Sequence, residues 1–178
     1  ISIPNVQQGT ITGPSDWQME YELGVDSLKH FNPLPLLMHI MMEVPALRSM
    51  GGQLYTVVSE LFSNSFEHGV LKLDSKLKSS PAGFAEYYQL RQQRLDALTE
   101  GFIKVNMTHT SDSGRSGVFS LAIEDSGDGF DYPVKFHRDE SQVKNKFSGR
   151  GIPLIYSLCH SLEYQGCGNK VVAEIHWP

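Results

Sequence analysis

The sequence predicts an α+β fold, a two-layer sandwich with helices on one face of a mixed, largely antiparallel sheet. Three observations predict it. The 178 residues, 40% hydrophobic and 20% charged, can bury a normal core and suit one domain rather than two. Through much of the N-terminal half apolar residues recur at steps of three and four, the period of a helix. After Gly101 the period falls to two, the period of strands. Helices followed by an antiparallel meander is the order expected of helices packed on one face of a sheet.

Taken in order, residues 1–15 (ISIPNVQQGTITGPS) are rich in Pro, Gly and Thr and read as a linker or loose edge, which leaves 16–178 as the domain. The start at Ile1 rather than at methionine is expected of a piece cut from a longer protein. Trp17 to Val25 alternates as a strand, and Asp26 or Ser27 can cap the segment after it. Pro33 and Pro35 sit where a helix can start; Leu36 to Leu47 supply its apolar face, and Pro45 should bend or end it. A second helix is predicted from about Gly52 to Val70, with Leu54, Val57, Val58, Leu61, Phe62 and Phe66 on one side and Gly69 as its stop. Residues 71–83 read as a Lys/Ser loop, and Phe84 to Thr99 as a polar, amphipathic third helix ended by Gly101. Phe102 to Thr110 and Val118 to Asp125 are predicted strands joined by a Ser- and Gly-rich turn, SDSGRSG. The irregular segment from Ser126 to Gly149 exceeds the usual connection of roughly 2–6 residues and is either functional or mobile. A helix over Ile152 to Ser161 and strands over Leu162 to Gln165 and Lys170 to Trp177 complete the chain.

Composition excludes some classes of function. A net charge of -5 argues against a nucleic-acid partner, which needs a basic face for phosphates. No apolar run approaches the roughly 18 residues of a membrane span. The most apolar stretch, Pro35 to Val44, carries His39 and Glu43 and reads as a core helix. Cys159 and Cys167 are the two cysteines; both read as small core residues in a chain of the reducing cytoplasm.

Three motifs carry chemistry. In SELFSNSFEHG (Ser59 to Gly69), Glu60, Asn64 and His68 lie four residues apart. Each step drifts by only about 40° around a helix, so the three share a face. That face is either a solvated stripe or one wall of a site, and the flanking Leu61, Phe62 and Phe66 favour the site. In EDSGDGF (Glu124 to Phe130), Asp125 falls at a strand tip, where its carboxylate can accept from an exocyclic amino group such as that of adenine. Gly127 and Gly129 would let the backbone approach a ligand, although such a stretch can also be only a turn. In SGRGI (Ser148 to Ile152), Gly149 and Gly151 feed a helix N-terminus whose free amides suit an anion, and Arg150 adds a guanidinium fork for phosphate oxygens.

In this order and at these separations, the three motifs resemble the N, G1 and G2 boxes of the GHKL ATP-binding (Bergerat) fold, shared by gyrase B, Hsp90, MutL, histidine kinases and anti-sigma factor kinases. The resemblance covers about Trp17 to Pro178. Histidine kinases usually have Asn where this chain has Glu60, and gyrase, Hsp90 and MutL continue into a transducer domain. The SE-x-x-x-N-x-x-x-HG pattern and the compact run Gly149 to Ile155 are most similar to the anti-sigma factor serine kinases of the SpoIIAB and RsbW type. Residues 72–100 are longer than in those kinases and resemble the kinase-like domains at the C-termini of proteobacterial response regulators that also carry a PP2C-type phosphatase.

The resemblance implies a serine kinase that uses ATP and Mg2+ to phosphorylate a STAS-type anti-sigma antagonist in a partner-switching pathway. A sigma or anti-sigma factor, or a second copy in a homodimer, are further partners it allows. Asn64 would ligate the metal and Glu60 would take or orient the proton of the attacking hydroxyl. Asp125, Gly127 and Gly129 would hold the adenine end, while Gly149, Arg150 and Gly151 hold the phosphates. His68 is either a polar support or a reacting group. Lys135, Arg138, Lys144 and Lys146 are either a closing lid or a solvated loop. Gly168-Asn169-Lys170 replaces the hydroxyl-bearing turn of many relatives, so a nucleotide contact from there is not expected. The alternatives are a nucleotide-binding module that sequesters a partner without catalysis, and the catalytic domain of a histidine kinase.

Overall fold

The computed structural model describes residues 16–112, 115–132 and 151–178. Its five strands are β1 (Trp17–Gly24), β2 (Phe102–Asp112), β3 (Ser116–Asp125), β4 (Ser161–Gln165) and β5 (Lys170–Trp177). They form one sheet in the order β1-β2-β3-β5-β4, and every pairing described is antiparallel. Alternation sets the faces. Ile103, Val105, Met107 and His109 of β2 are buried, and they pair across β3 with Asp125, Ile123, Leu121 and Phe119. A slip of one residue would turn that whole row to the opposite face, so the apolar pattern fixes the register. The same register places Asp125 on the helix-covered face at the tip of β3.

The other layer holds α1 (Val25–His30), α2 (Leu34–Met42), α3 (Pro45–Arg48), α4 (Gly51–Ser63), α5 (Pro81–Asp96) and α6 (Gly151–Leu158). Leu37, Met41, Leu54, Val57, Val58 and Leu61 bury their side chains against Leu23, Ile103, Val105 and Ile123 of the sheet. Each such burial stabilises by about 1.5–3 kcal/mol. On the opposite side of α2, His39 and Glu43 stay exposed, 3.9 Å apart.

Several boundaries differ from those expected of the sequence, each for a local reason. The helix expected over Leu36 to Leu47 divides, because Pro45 lacks an N–H to continue it and instead occupies the first turn of α3. The helix expected from Gly52 to Val70 starts at Gly51 and changes character at Asn64: Asn64–Val70 is a π-helical segment, in which Leu71 N–H donates to Phe66 O over five residues at 2.9 Å. Gly69 lies inside that segment and does not stop it. The expected Lys/Ser loop contains a 3-10 turn, Ser75–Ser79, where Asp74 accepts from Lys76 N–H at 2.9 Å. Helix α5 begins before its apolar face, because Ser80 caps it by accepting from Gly83 N–H at 3.1 Å and Pro81 fits its first turn.

The cysteines part company. Cys159 is buried, which pushes its thiol up to about 12, but Cys167 is exposed in the β4–β5 turn and is no core residue. No helix among the described residues is long and apolar enough to cross a membrane.

Candidate functional site

A cleft of about 1380 Å3 opens between the α4 wall and the ends of β3 and β5. Glu60, Asn64 and His68 line it from the helical wall, Asp125 and Gly129 from the strand tip, and Gly151 from the start of α6. The four-residue spacing therefore makes one wall of a cavity, and the stripe is not simply solvated. Asn64 is the residue at which α winding gives way to π winding. Single π turns of this kind are frequent at functional sites.

The motifs touch one another. A Cβ built on Gly69 would fall into the Asp125 carboxylate, and one on Gly127 would lie 2.6 Å from Gly69 O. One on Gly151 would lie 2.6 Å from Glu60 Oε2. Glycine is needed at 69 and 127, where a held carboxylate and backbone already fill the space, whereas at 151 the end of the Glu60 side chain would only have to shift. Gly69 was readable as a helix stop, yet its function is this close approach. At the far end of α6, Leu158 O accepts from the Gln53 amide, which fastens the helix to α4 at its other end too.

Asp125 is buried. Its Oδ1 accepts from Gly127 N–H at 2.8 Å, and Ser65 donates to the same carboxylate. Burial pushes the Asp125 carboxyl above its ordinary value; the bonds from Gly127 and Ser65 pull the other way, and the charge on Glu124 adds to the rise. The Asp125 backbone is gripped by Asn169, whose carbonyl accepts from Asp125 N–H and whose amide donates to Asp125 O, both at 2.9 Å. Asn169 also lines the cleft, so the β4–β5 turn borders the site through its grip on Asp125. Tyr164 closes the same end; burial and then the Asp125 charge push its phenol up.

His68 Nδ1 donates to Leu73 O at 2.7 Å, since a carbonyl oxygen can only accept. That bond makes His68 a polar support for the turn at Leu73. Next to it, Glu67 faces away into a network: Tyr87 O–H donates at 2.7 Å, Lys78 Nζ at 3.0 Å and Arg91 Nε at 3.2 Å. Burial alone would raise the Glu67 carboxyl, but the bonds from Tyr87 and Lys78 and the charges of Lys78 and Arg91 hold it below its ordinary value.

Several site residues gave little sign of themselves in the sequence. Ser65 was inside the quoted motif, but Lys72, Lys76 and Lys78, which line the cleft from the segment read as a loop, had no motif to mark them. Gly149 and Arg150 lie outside the described residues, as do Lys135, Arg138, Lys144 and Lys146.

The Asn64 amide oxygen on the cleft wall fits a Mg2+ ion, a hard cation that keeps several waters and shares its coordination with phosphates. Among the described residues no three His, Cys, Asp or Glu side chains group as a metal site, and an ion held mainly by phosphate oxygens and water requires no such group.

The family model for the histidine kinase-like ATPase domain matches residues 50–175, from the residue before α4 to near the end of β5. No curated protein matches the chain.

Proposed function

The chain belongs to the histidine kinase-like ATPase family, an ATP-binding, kinase-like class, and from that premise we propose that it is a serine protein kinase of the anti-sigma factor type. Its substrate in this reading is a STAS-type anti-sigma antagonist, switched off its partner by the added phosphate charge. The observation that carries the reading is the shared cleft: a carboxylate at Glu60, not an amide, stands one helical turn before the Asn64 amide and opposite the buried Asp125.

Asp125 accepts from the exocyclic amino group of adenine through a lone pair left over by the bonds from Gly127 and Ser65. Asn64 would hold Mg2+, which would supply positive charge to neutralise the phosphates. Gly151, with Gly149 and Arg150 beside it in the sequence, receives phosphate oxygens at the start of α6. Glu60 orients the serine hydroxyl and takes its proton as the oxygen bonds to the γ-phosphorus and the bond to the ADP leaving group breaks. Positioning and charge neutralisation supply most of the rate in phosphoryl transfer, so this small set of groups suffices.

Incubating the chain with γ-labelled ATP, Mg2+ and candidate STAS proteins tests it. Acid-stable label on a serine, absent with Glu60→Ala, is the expected result. Tight partner capture with no label, unaffected by Glu60→Gln, overturns catalysis in favour of sequestration. Acid-labile label on a histidine overturns the serine assignment.

A further inference from the structure

The geometry points to a clasp formed by Lys72 and Asp128 that controls how long a nucleotide stays in the cleft, an inference that rests on the ATP-binding reading above. Lys72 is, among the described residues, the one non-glycine with positive φ, at 52°. A left-handed backbone at a residue with a side chain is costly and persists only where its surroundings impose it. Here Arg94 of α5 imposes it: the guanidinium donates to Leu71 O at 2.8 Å and also to Lys72 O, pinning both peptides.

The result is an ammonium aimed at the facing loop. Lys72 Nζ donates to Asp128 Oδ2 at 2.7 Å, and both residues line the cleft. The Asp128 end is held as firmly. Gly127 on one side abuts Gly69 O, and on the other Gly129, with φ 75°, backs onto Cys167 O, while Phe130 N–H donates to that same carbonyl at 3.0 Å. Both anchors of the ion pair are therefore held at a fixed separation by backbone contacts, while the two side chains stay exposed and the pair keeps the modest strength of a surface ion pair.

Lys72 and Asp128 are exposed residues of the cleft lining, and Gly69, Gly127 and Asp125, close to them along the chain, join the helical wall to the glycine loop. Nucleotide that reaches Asp125 lies next to this join, so the pair ties the two walls together at the base end. Arg94 acts through Lys72 and is a positioning residue.

The test uses the full chain, Mg2+ and a fluorescent N-methylanthraniloyl ATP, with release followed by stopped flow on displacement by unlabelled ATP. Lys72→Met and Asp128→Asn should each speed release about two- to fivefold at low salt, the range open to an exposed ion pair. The exchange Lys72→Asp with Asp128→Lys should restore slow release, and about 1 M salt should erase the difference by screening. Lys72→Gly, which suits the positive φ, guards against a folding defect and should release as fast as Lys72→Met. A wild-type chain that binds while all variants release at its rate overturns the clasp alone. A wild-type chain that takes up no nucleotide overturns the reading beneath it and the clasp with it.

Discussion

Asp125 shows how one residue can trade stability for recognition. Burial raises its carboxyl pKa, with the bonds from Gly127 and Ser65 only partly offsetting it. A folded-state pKa above the unfolded one means that the group's contribution is full below the ordinary value of 3.8 and is lost as pH rises through the raised value. At neutral pH the charged form therefore destabilises the empty domain. Asp125→Asn should leave Gly127 its acceptor while replacing the second oxygen with an NH2 donor. We expect the variant to be at least as stable as wild type at pH 7 in urea melts, with the advantage shrinking towards pH 4. Its affinity for ATP in calorimetry should fall by about tenfold or more, the cost of setting a donor against the adenine amino group; unchanged affinity would remove Asp125 from base recognition. The position of Asp125 at a strand tip was legible from the alternation of VFSLAIED. Its burial was not, because that comes from Gly69 and Asn169, one distant in sequence on each side.

At the scale of elements, the segment between the first motif and β2 is a brace for the site. Tyr87, Arg91 and Arg94 of α5 hold Glu67, Leu71 O and Lys72 O, and so fix the π-helical segment from behind. The helix of residues 81–96 was legible from Phe84 onward by its composition, but its Ser80-Pro81 start fell in the segment read as a loop, and the brace was hidden because an interior Glu reads as a solvated charge. The π winding was equally hidden: the spacing of Glu60, Asn64 and His68 satisfies an α-helix just as well, and only the bond from Leu71 to Phe66 separates the two. Glu67→Gln tests the brace. Its folded pKa is lowered, so its contribution is present above the ordinary value of 4.5 and is lost as pH falls through the lower folded value. The variant should be less stable by about 1–3 kcal/mol at pH 7, the range for hydrogen bonds to a largely buried charge. That gap should narrow as pH drops below about 4.5 in chemical denaturation. A gap that is constant with pH would assign the effect to packing.

Across the whole molecule, the sheet and the cleft were the most legible features, because period-two patterns set the buried face and three spaced motifs set the cavity wall. The edge of the folding unit is less plain. The family match begins at residue 50, yet β1, α1, α2 and α3 lie before it. They are no appendage: Leu23, Leu28, Leu37, Met41 and Leu47 are all part of the one core. At about 1.5–3 kcal/mol each, five such side chains contribute about 8–15 kcal/mol, as much as the net stability of a typical domain. Removing β1 also strips its eight-residue pairing from β2, from Gly24↔Phe102 to Trp17↔His109, and leaves the apolar β2 as an unprotected edge. Unpaired apolar edges recruit other chains. A fragment of residues 50–175 should therefore show no cooperative thermal transition by circular dichroism and should run as aggregate in size-exclusion chromatography, while the full chain melts cooperatively. A monomeric fragment with a sharp transition would mean that the helices and strand before residue 50 decorate a core that the matched region builds alone.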